Sequence, residues 1–388
     1  MQTENRMDPL TAARDLGPAI AAASDAIEST RRIPSALLAR LHDSRLLRML
    51  LPQSVGGDQA PPDAYVLAVE EIARHDASVA WNVFVANSAA LIAAFLEEAI
   101  ARAIFANPAT IVAWGPPNAS RAKAVSGGYR VTGTWDFASG CRNANWMGAH
   151  CSVVQADGAL RLNGFGRPAI RTLLFPAERA TLIDNWHTIG LRGTASDGYC
   201  VDDLFVPEAY STTREEPDLR RERGPLYAFT MPGLYAVGVA AVALGIARAM
   251  LEAFLDLAGR KTPRGQGRLA DSATVQADVA RWEAKLGSAR AYLLDTLRAI
   301  YAEADDVAPI GVPDRARVRL ACTNAIHSSV EVADYVYHAA GVDAIFPGSP
   351  FERRFRDMHT LSQQIQARTG HFESVGQVLL GMPPKIFY

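Results

Sequence analysis

The chain has 388 residues, 49% of them hydrophobic, with 39 Lys and Arg against 41 Asp and Glu. That length suits two or three packed units with an ample core. The near-balanced charge excludes the electrostatic footprint of a nucleic-acid or anionic-membrane partner. Cys141, Cys151, Cys200 and Cys322 are far apart and show no CxxC or Cys/His ligand spacing, so reduced thiols of a cytoplasmic protein are expected, and no metal. The opening MQTENRMDPLTAARDLG is polar and lacks the charged-then-apolar order of a signal peptide.

Residues 10–108 read as helices. PDAYVLAVEEIARHD places Tyr65, Val69, Ile72 and Ala73 on one side, with Glu70, Glu71 and Arg74 on the other. DASVAWNVFVANSAALIAAFL opens on an Asp/Ser cap and is apolar all round, which predicts a buried helix. Asn87 and Ser88 interrupt it, and a buried amide needs a partner in backbone, water or substrate. The link LPQSVGGDQAPP is a Gly/Pro loop.

From Thr110 to Pro207 short β-rich runs recur: TIVAW, AKAVSGGYRVTGTWDFA, HCSVVQADGALRL, AIRTLLF, ATLID and GYCVDDLFV. SGGY and ADGA are hairpin turns in which Gly supplies positive φ. About eight short strands predict an antiparallel barrel or sandwich. Strand alternation puts Trp135 and Phe137 on one face, Asp136 and Ala138 on the other. STTREEPDLRRERGP, residues 211–225, reads as a solvated linker. Beyond it AFTMPGLYAVGVAAVALGIA is long enough to span a bilayer. Its Gly and Ala content, and the helical pattern continuing through Arg248 and Glu252, predict the central buried helix of a bundle instead. Residues 271–304 suit one helix of about 50 Å, and the next, VPDRARVRLACTNAIHSSVEVADYVYHAAG, ends at a Gly cap. The pattern divides the chain into helical 1–108, β 109–210 and helical 211–388.

Several machines are absent. There is no HExxH, no GxxxxGK[ST], no GxGxxG after a strand and no GxSxG. What stands out is GTWDFASGCRNANW, a polar and aromatic strand end, and RFRDMHTLSQQIQARTGHF near the C-terminus. In the latter, His359 is the one imidazole close to an Arg-Asp pair. Regular helix over 356–368 would set His359 beside Gln363 and Gln366 but away from Gln364.

Four segments carry a resemblance: LPQSVGG at 51–57, GGYRVTGTWDFASGC at 127–141, DNWHTIGLRGTASDGYCVDDLFVPE at 184–208 and FRDMH at 355–359. Together they resemble the acyl-CoA dehydrogenase superfamily, more closely its two-component flavin-dependent monooxygenase branch, over roughly residues 15–385. The resemblance implies an α+β, mainly α fold: an N-terminal helical domain, a central antiparallel β domain and a C-terminal four-helix bundle. It further implies a homotetramer, reduced FMN or FAD as co-substrate, and a separate flavin reductase. On this resemblance Phe137, Ala138 and Ser139 meet the flavin ring, with Ser139 near N5. Trp114 and Gly115 match the adjoining loop, Asn118 and Ser120 the region of the phosphates, and Thr194 and Ser196 a bordering loop. Arg260 matches a cation supplied by a neighbouring subunit, or is a solvated helix-end Arg. Asn87 and Ser88 lie on a helix that lines the substrate pocket in relatives.

The familiar dehydrogenases of this family carry a Glu base in a YEG motif. Here that position is Ile365, which cannot accept a proton. Monooxygenase relatives often place a His at the position of Gln364, which donates a hydrogen bond but does not titrate. His359 is then the acid/base candidate, with His187 a weaker one. The leading expectation is oxygenation of a small aromatic, heterocyclic or amine substrate. A flavin dehydrogenase or nitroalkane-type oxidase, and a catalytically idle flavin-binding homologue, are the rivals.

Overall fold

The structure is a computed structural model that describes residues 7–164, 166–213 and 219–384. Five helices come first: α1 (Pro9–Thr30), α2 (Ser35–Asp43), α3 (Pro62–His75), α4 (Ala77–Ala90) and α5 (Glu98–Phe105). The caps are those the sequence offers. Asp8 accepts from the Thr11 amide at 3.0 Å and Asp76 from that of Val79 at 2.9 Å. The 51–62 link is irregular except for one turn of tight helix, Gln53–Val55.

Eight strands follow: β1 (Val112–Trp114), β2 (Arg121–Val125), β3 (Gly128–Trp135), β4 (Trp146–Val154), β5 (Ile170–Pro176), β6 (Thr181–Ile183), β7 (Gly198–Pro207) and β8 (Ser211–Thr212). They form one sheet in the order β6-β7-β3-β2-β4-β5-β8, with β1 also on β4. The sheet is mixed, which corrects the expectation of an antiparallel domain. β1 and β2 run parallel to successive halves of β4. The reason is local: Pro116 and Pro117 break the strand without reversing it, so the chain resumes in the same direction. The SGGY hairpin forms as expected, with Gly127 at φ 78° between β2 and β3. The sheet's own core centres on Trp135 stacked on Tyr199 at 5.3 Å, beside Tyr129.

The remaining helices are α6 (Pro225–Ala228), α7 (Met231–Arg260), α8 (Ala273–Glu303), α9 (Val312–Ala340), α10 (Glu352–Leu361) and α11 (Gly370–Leu379). α7 is the central helix, packed against α3, α4 and α9. Glycine permits this closeness: a Cβ on Gly245 would lie 2.3 Å from the Glu70 carbonyl oxygen on α3. The apolar segments Ala77–Phe95 and Met231–Arg260 have the length and composition of membrane spans, but 89% and 83% of their apolar windows are buried inside the protein. They are core helices. One continuous apolar cluster joins α1–α4 to α7–α10.

Two local readings change. Glu70 and Glu71 are buried, because α8 covers that side of α3 and Arg290 donates to both Glu70 oxygens at 2.8 Å. Of the 211–225 linker, Ser211–Thr212 is an edge strand on β5, and residues 214–218 lie outside the described residues.

Candidate functional site

A cavity of about 880 Å³ lies where α4, the exits of β1 and β3, the 186–196 segment, α7 and the end of α10 converge. Its walls include Trp81, Trp114, Phe137, Trp186 and Tyr235. Among the described residues that line it there is no carboxylate. The size and the apolar walls are those of a small-molecule site.

On the sheet side, β3 ends at Trp135 and the backbone turns left-handed at Phe137, φ 61°. This breaks the alternation. Trp135 is fully buried while Phe137 is 62% exposed at the cavity, edge-on to Trp186 at 6.1 Å. The expectation that these two rings share a face is thereby corrected. Ala138 packs into the core of the sheet, and its amide donates to Asp197 O at 3.0 Å. Its side chain therefore does not reach the cavity. Ser139 does.

The GLRGTAS segment is wound by two further left-handed residues, Leu191 (φ 50°) and Ala195 (φ 43°). The winding aligns Thr194 and Ser196 with Ser139. Trp81 Nε1 donates to Ser139 Oγ at 3.0 Å, and Ser139 Oγ lies 2.6 Å from Ser196 Oγ. Ser196 Oγ is in turn 2.7 Å from Thr194 Oγ1, which donates to Leu191 O at 2.8 Å. Beneath the loop, Asp197 is held by Arg142 at 2.6 Å and by the Trp186 amide at 3.1 Å.

Trp114 lines the cavity, edge-on to the buried His150 at 5.1 Å. Gly115 packs against β3, where a Cβ would meet Asp136 O at 2.3 Å. The adjoining Pro116 and Pro117, rather than Gly115, line the wall. Asn118 and Ser120 are outside the lining and build a turn instead. Asn118 Oδ1 accepts from the Ser120 amide at 2.7 Å, and its Nδ2 donates to Thr134 O at 2.8 Å.

On the helical side α10 ends at Leu361, so the expected regular helix over 356–368 is interrupted. The chain turns, becomes extended at Gln364 (φ −70°, ψ 145°), and re-enters a short tight helix, Ile365–Ala367. That break brings both His359 and Gln364 to one cavity. Gln364 Oε1 accepts from the Gln366 amide at 2.6 Å, and Gln364 lines the cavity together with Tyr235. His359 Nε2 is 2.8 Å from Asp334 Oδ1 on α9, and its ring packs on Phe355 at 4.2 Å. Its partner is thus Asp334 rather than the neighbouring Arg356-Asp357 pair. His187 is two-thirds exposed at the rim, 3.5 Å from Asp184.

Asp357 is buried and accepts from the Leu191 amide at 2.6 Å, tying α10 to the GLRGTAS segment. Burial pushes its carboxyl up to about 7, reinforced by Asp76 and Glu28 and opposed by the Leu191 hydrogen bond and by Arg356.

The two polar residues of α4 separate. Asn87 is fully buried, accepts from Leu50 N at 2.9 Å and donates to Leu46 O at 2.8 Å and Val83 O at 2.9 Å. These bonds occupy the amide with backbone, so Asn87 is not a substrate contact. Ser88 lines the cavity and faces the Tyr65 hydroxyl. Arg260, at the end of α7, is 68% exposed, 3.1 Å from Asp256, and lies outside the cavity of its own chain.

Sequence reasoning missed Trp81, His150, Tyr235, Asp334 and Asp357. A signal existed for the first: Trp81, Val85 and Ser88 follow helical spacing, which puts them on one face and Asn87 off it. Tyr235 was legible as the polar-tipped ring in a Gly/Ala run. His150 and Asp334 had no local signal.

Two family models match the chain, the acyl-CoA dehydrogenase N-terminal domain over residues 11–107 and the C-terminal domain over residues 237–368. Indole-3-acetate monooxygenase of Pseudomonas putida is 31% identical over 345 residues, covering 87% of this chain and 84% of the relative. The oxygenase component of FADH(2)-dependent resorcinol hydroxylase from Rhizobium sp. is 30% identical over 378 residues, 92% and 90% of the two chains. Among solved structures, XiaF from Streptomyces sp. in complex with FADH2 and glycerol superposes with a TM-score of 0.90 at 24% identity, covering 98% and 97% of the two chains. The fold, the end-to-end identity with these relatives and a cavity at the expected junction agree: the chain belongs to the acyl-CoA dehydrogenase superfamily, and within it to the flavin-dependent monooxygenases that form the oxygenase component of two-component systems.

Proposed function

We propose that the chain hydroxylates a small aromatic or heteroaromatic substrate in this cavity. The observation that carries the reading is the composition of the walls: indole, phenyl, phenol and imidazole rings, with no carboxylate among the described lining residues. The named activities of the two relatives, on indole-3-acetate and on resorcinol, point to the same class. Arg368 is the one guanidinium among the described lining residues, so the field favours a neutral or anionic ligand over an amine.

The residues present fit a reduced flavin. A flat ring needs apolar walls and a few edge partners, which Phe137 and Trp186, the Ser139–Ser196–Thr194 hydroxyls and the Gln364 amide offer. When bound, reduced FMN or FAD, delivered by a separate reductase, activates O2 for transfer of one oxygen atom to the substrate. The protein's part is to exclude water and move protons. Trp81, Val85 and Ala89 on α4 close the cavity with apolar surface, which keeps the reaction dry. Asp334 holds the His359 ring through Nε2, leaving Nδ1 to accept or return a proton of the substrate. Gln364, its oxygen held by the Gln366 amide, keeps its NH2 as a donor that does not titrate.

The dehydrogenase reading lacks its base. Ile365 stands at the cavity, half exposed, where that chemistry needs a carboxylate. Cytoplasmic action accords with four free cysteines. A homotetramer accords with the exposed Val342, Ile345, Phe346, Leu379 and Leu380 in the C-terminal region, around the 341–346 turn and the end of α11.

Mixing the protein with photoreduced FMN or FAD and air, over a panel of phenols, indoles and aromatic acids, tests the reading. A hydroxylated product formed in proportion to reduced flavin is expected. Reduction of tightly bound oxidised flavin by an acyl thioester, with no hydroxylated product, overturns it.

A further inference from the structure

Charge is almost absent from the cavity wall. Among the described lining residues there is no Asp, Glu or Lys, and Arg368 is the one group with a permanent charge. It differs from the arginines of α10. Arg353 pairs with Asp25, Arg354 donates to Arg74 O at 3.0 Å, and Arg356 pairs with Glu28 at 2.9 Å. The Arg368 guanidinium makes no hydrogen bond or ion pair with any described residue.

The backbone beneath it is clamped. Arg368 closes the tight turn Ile365–Ala367 in an extended conformation, φ −61° and ψ 131°. From α9, His327 Nε2 donates to Ala367 O at 2.9 Å and Arg319 donates to Gln366 Oε1. From α11, His371 Nε2 donates to Ile365 O at 2.8 Å. A long, exposed cation thus springs from a fixed base with nothing of its own chain to hold. Its neighbours on that wall, Gln363, Gln364 and Ile365, are neutral. An unpaired guanidinium with no carboxylate competing for it is a receptor for an oxyanion.

The other walls decide what that oxyanion is attached to. Trp81, Trp114, Trp186 and Tyr235 line the cavity, and Phe137 and Ile189 are exposed within it. We infer that Arg368 anchors a carboxylate, so that the substrate is an arene acid rather than a neutral phenol or an amine. The inference rests on the aromatic-substrate reading above and narrows it. One guanidinium balances one negative charge, which suits a carboxylate. A flavin phosphate carries about −1.5 to −2 at neutral pH and is not matched by Arg368 alone. Arg368 is then a specificity-determining residue that holds the acid group and takes no part in proton transfer.

Benzoate, phenylacetate and indole-3-acetate, each beside its primary amide, keep the ring and change only the charge. Quenching of tryptophan fluorescence reads their affinities without flavin, and calorimetry reads them with reduced FMN under argon. The tightest acid should bind at least about tenfold better than its amide, the worth of one charge-assisted pair. Arg368→Gln should bring the two within about twofold by weakening the acid alone. Arg368→Lys keeps the charge without the planar fork and should retain part of the preference. Equal binding of acid and amide in the parent, or a preference that survives Arg368→Gln, overturns the inference. Binding of neither, with or without reduced FMN, also overturns it. So does a loss of reduced FMN but not reduced riboflavin in Arg368→Gln with the acid-to-amide ratio unchanged, which assigns the guanidinium to the phosphate. Failure of the parent to bind reduced flavin, with the acid preference intact, overturns the flavin reading alone.

Discussion

Asn87 ties α4 to the turn at 46–50 through two hydrogen bonds to backbone, and makes a third to Val83 O within α4. Its replacement by Ala would leave the Leu50 amide and two carbonyls without it inside the core. Asn87→Ala should destabilise the fold by about 1–3 kcal/mol, the range for an orphaned buried polar group, read by urea denaturation, with flavin affinity in the folded protein unchanged. A loss of substrate affinity at unchanged stability would return Asn87 to the cavity. His359 belongs to the opposite class. Asp334 fixes its ring at the cavity, and it is the imidazole of α10 available for proton transfer. His359→Asn should slow product formation by about 10²–10⁴-fold and divert oxygen to hydrogen peroxide, while reduced-flavin binding persists. Product per reduced flavin is the deciding measurement, and full coupling in the variant would make the imidazole structural.

Among the elements, the docking of the 188–196 segment on α10 organises both halves of the site. A Cβ on Gly190 would lie 2.2 Å from Arg356 O, so only glycine lets the two backbones approach this closely. One residue on, the Leu191 amide donates to Asp357. The Asp357 carboxyl sits near 7 in the folded chain against an ordinary 3.8. The charged groups acting on it are Glu28 from α1, Asp76 at the start of α4, and Arg354 and Arg356 from α10 itself. The folded chain therefore binds this proton more tightly than the unfolded chain. The stabilisation is complete below about pH 4, lost progressively as pH rises to about 7, and constant above. Asp357→Asn lacks this titration. The melting temperature of the parent relative to Asp357→Asn should fall between pH 5 and 7.5 and level off by pH 8. A difference independent of pH would show that Asp357 titrates in its ordinary range.

For the whole molecule, the apolar cluster shared by α1–α4 and α7–α10 makes the two helical regions one packing unit, with the sheet as a second core. The cavity lies at their junction, so its shape depends on both. The exposed apolar side chains at 342–346 and 379–382 have no cover within one chain. Light scattering at micromolar protein should report a homotetramer, and Leu379→Glu with Leu380→Glu should shift it toward smaller species. A monomeric parent would remove both the tetramer and any action of Arg260 across an interface.

Helices, strands and their order were legible in the sequence because periodicity, caps and turn glycines are local. Asp76 caps α4, Gly127 turns β2 into β3, and the Gly/Ala run becomes the central α7 wherever the rest of the chain goes. Segments such as TWDFASG and FRDMH likewise carried the family. The site itself was only half legible. Strand alternation fails at Phe137, and helical spacing fails after Leu361, because left-handed and extended residues re-aim the side chains there. Direction in the mixed sheet, the burial of Asn87 and the pairing of His359 with Asp334 depend on segments far apart in the chain. So does the hydroxyl run, which starts from an indole on α4 and ends on the carbonyl of Leu191. Local propensity does not encode such contacts. They exist only once the two cores have closed on the junction between them.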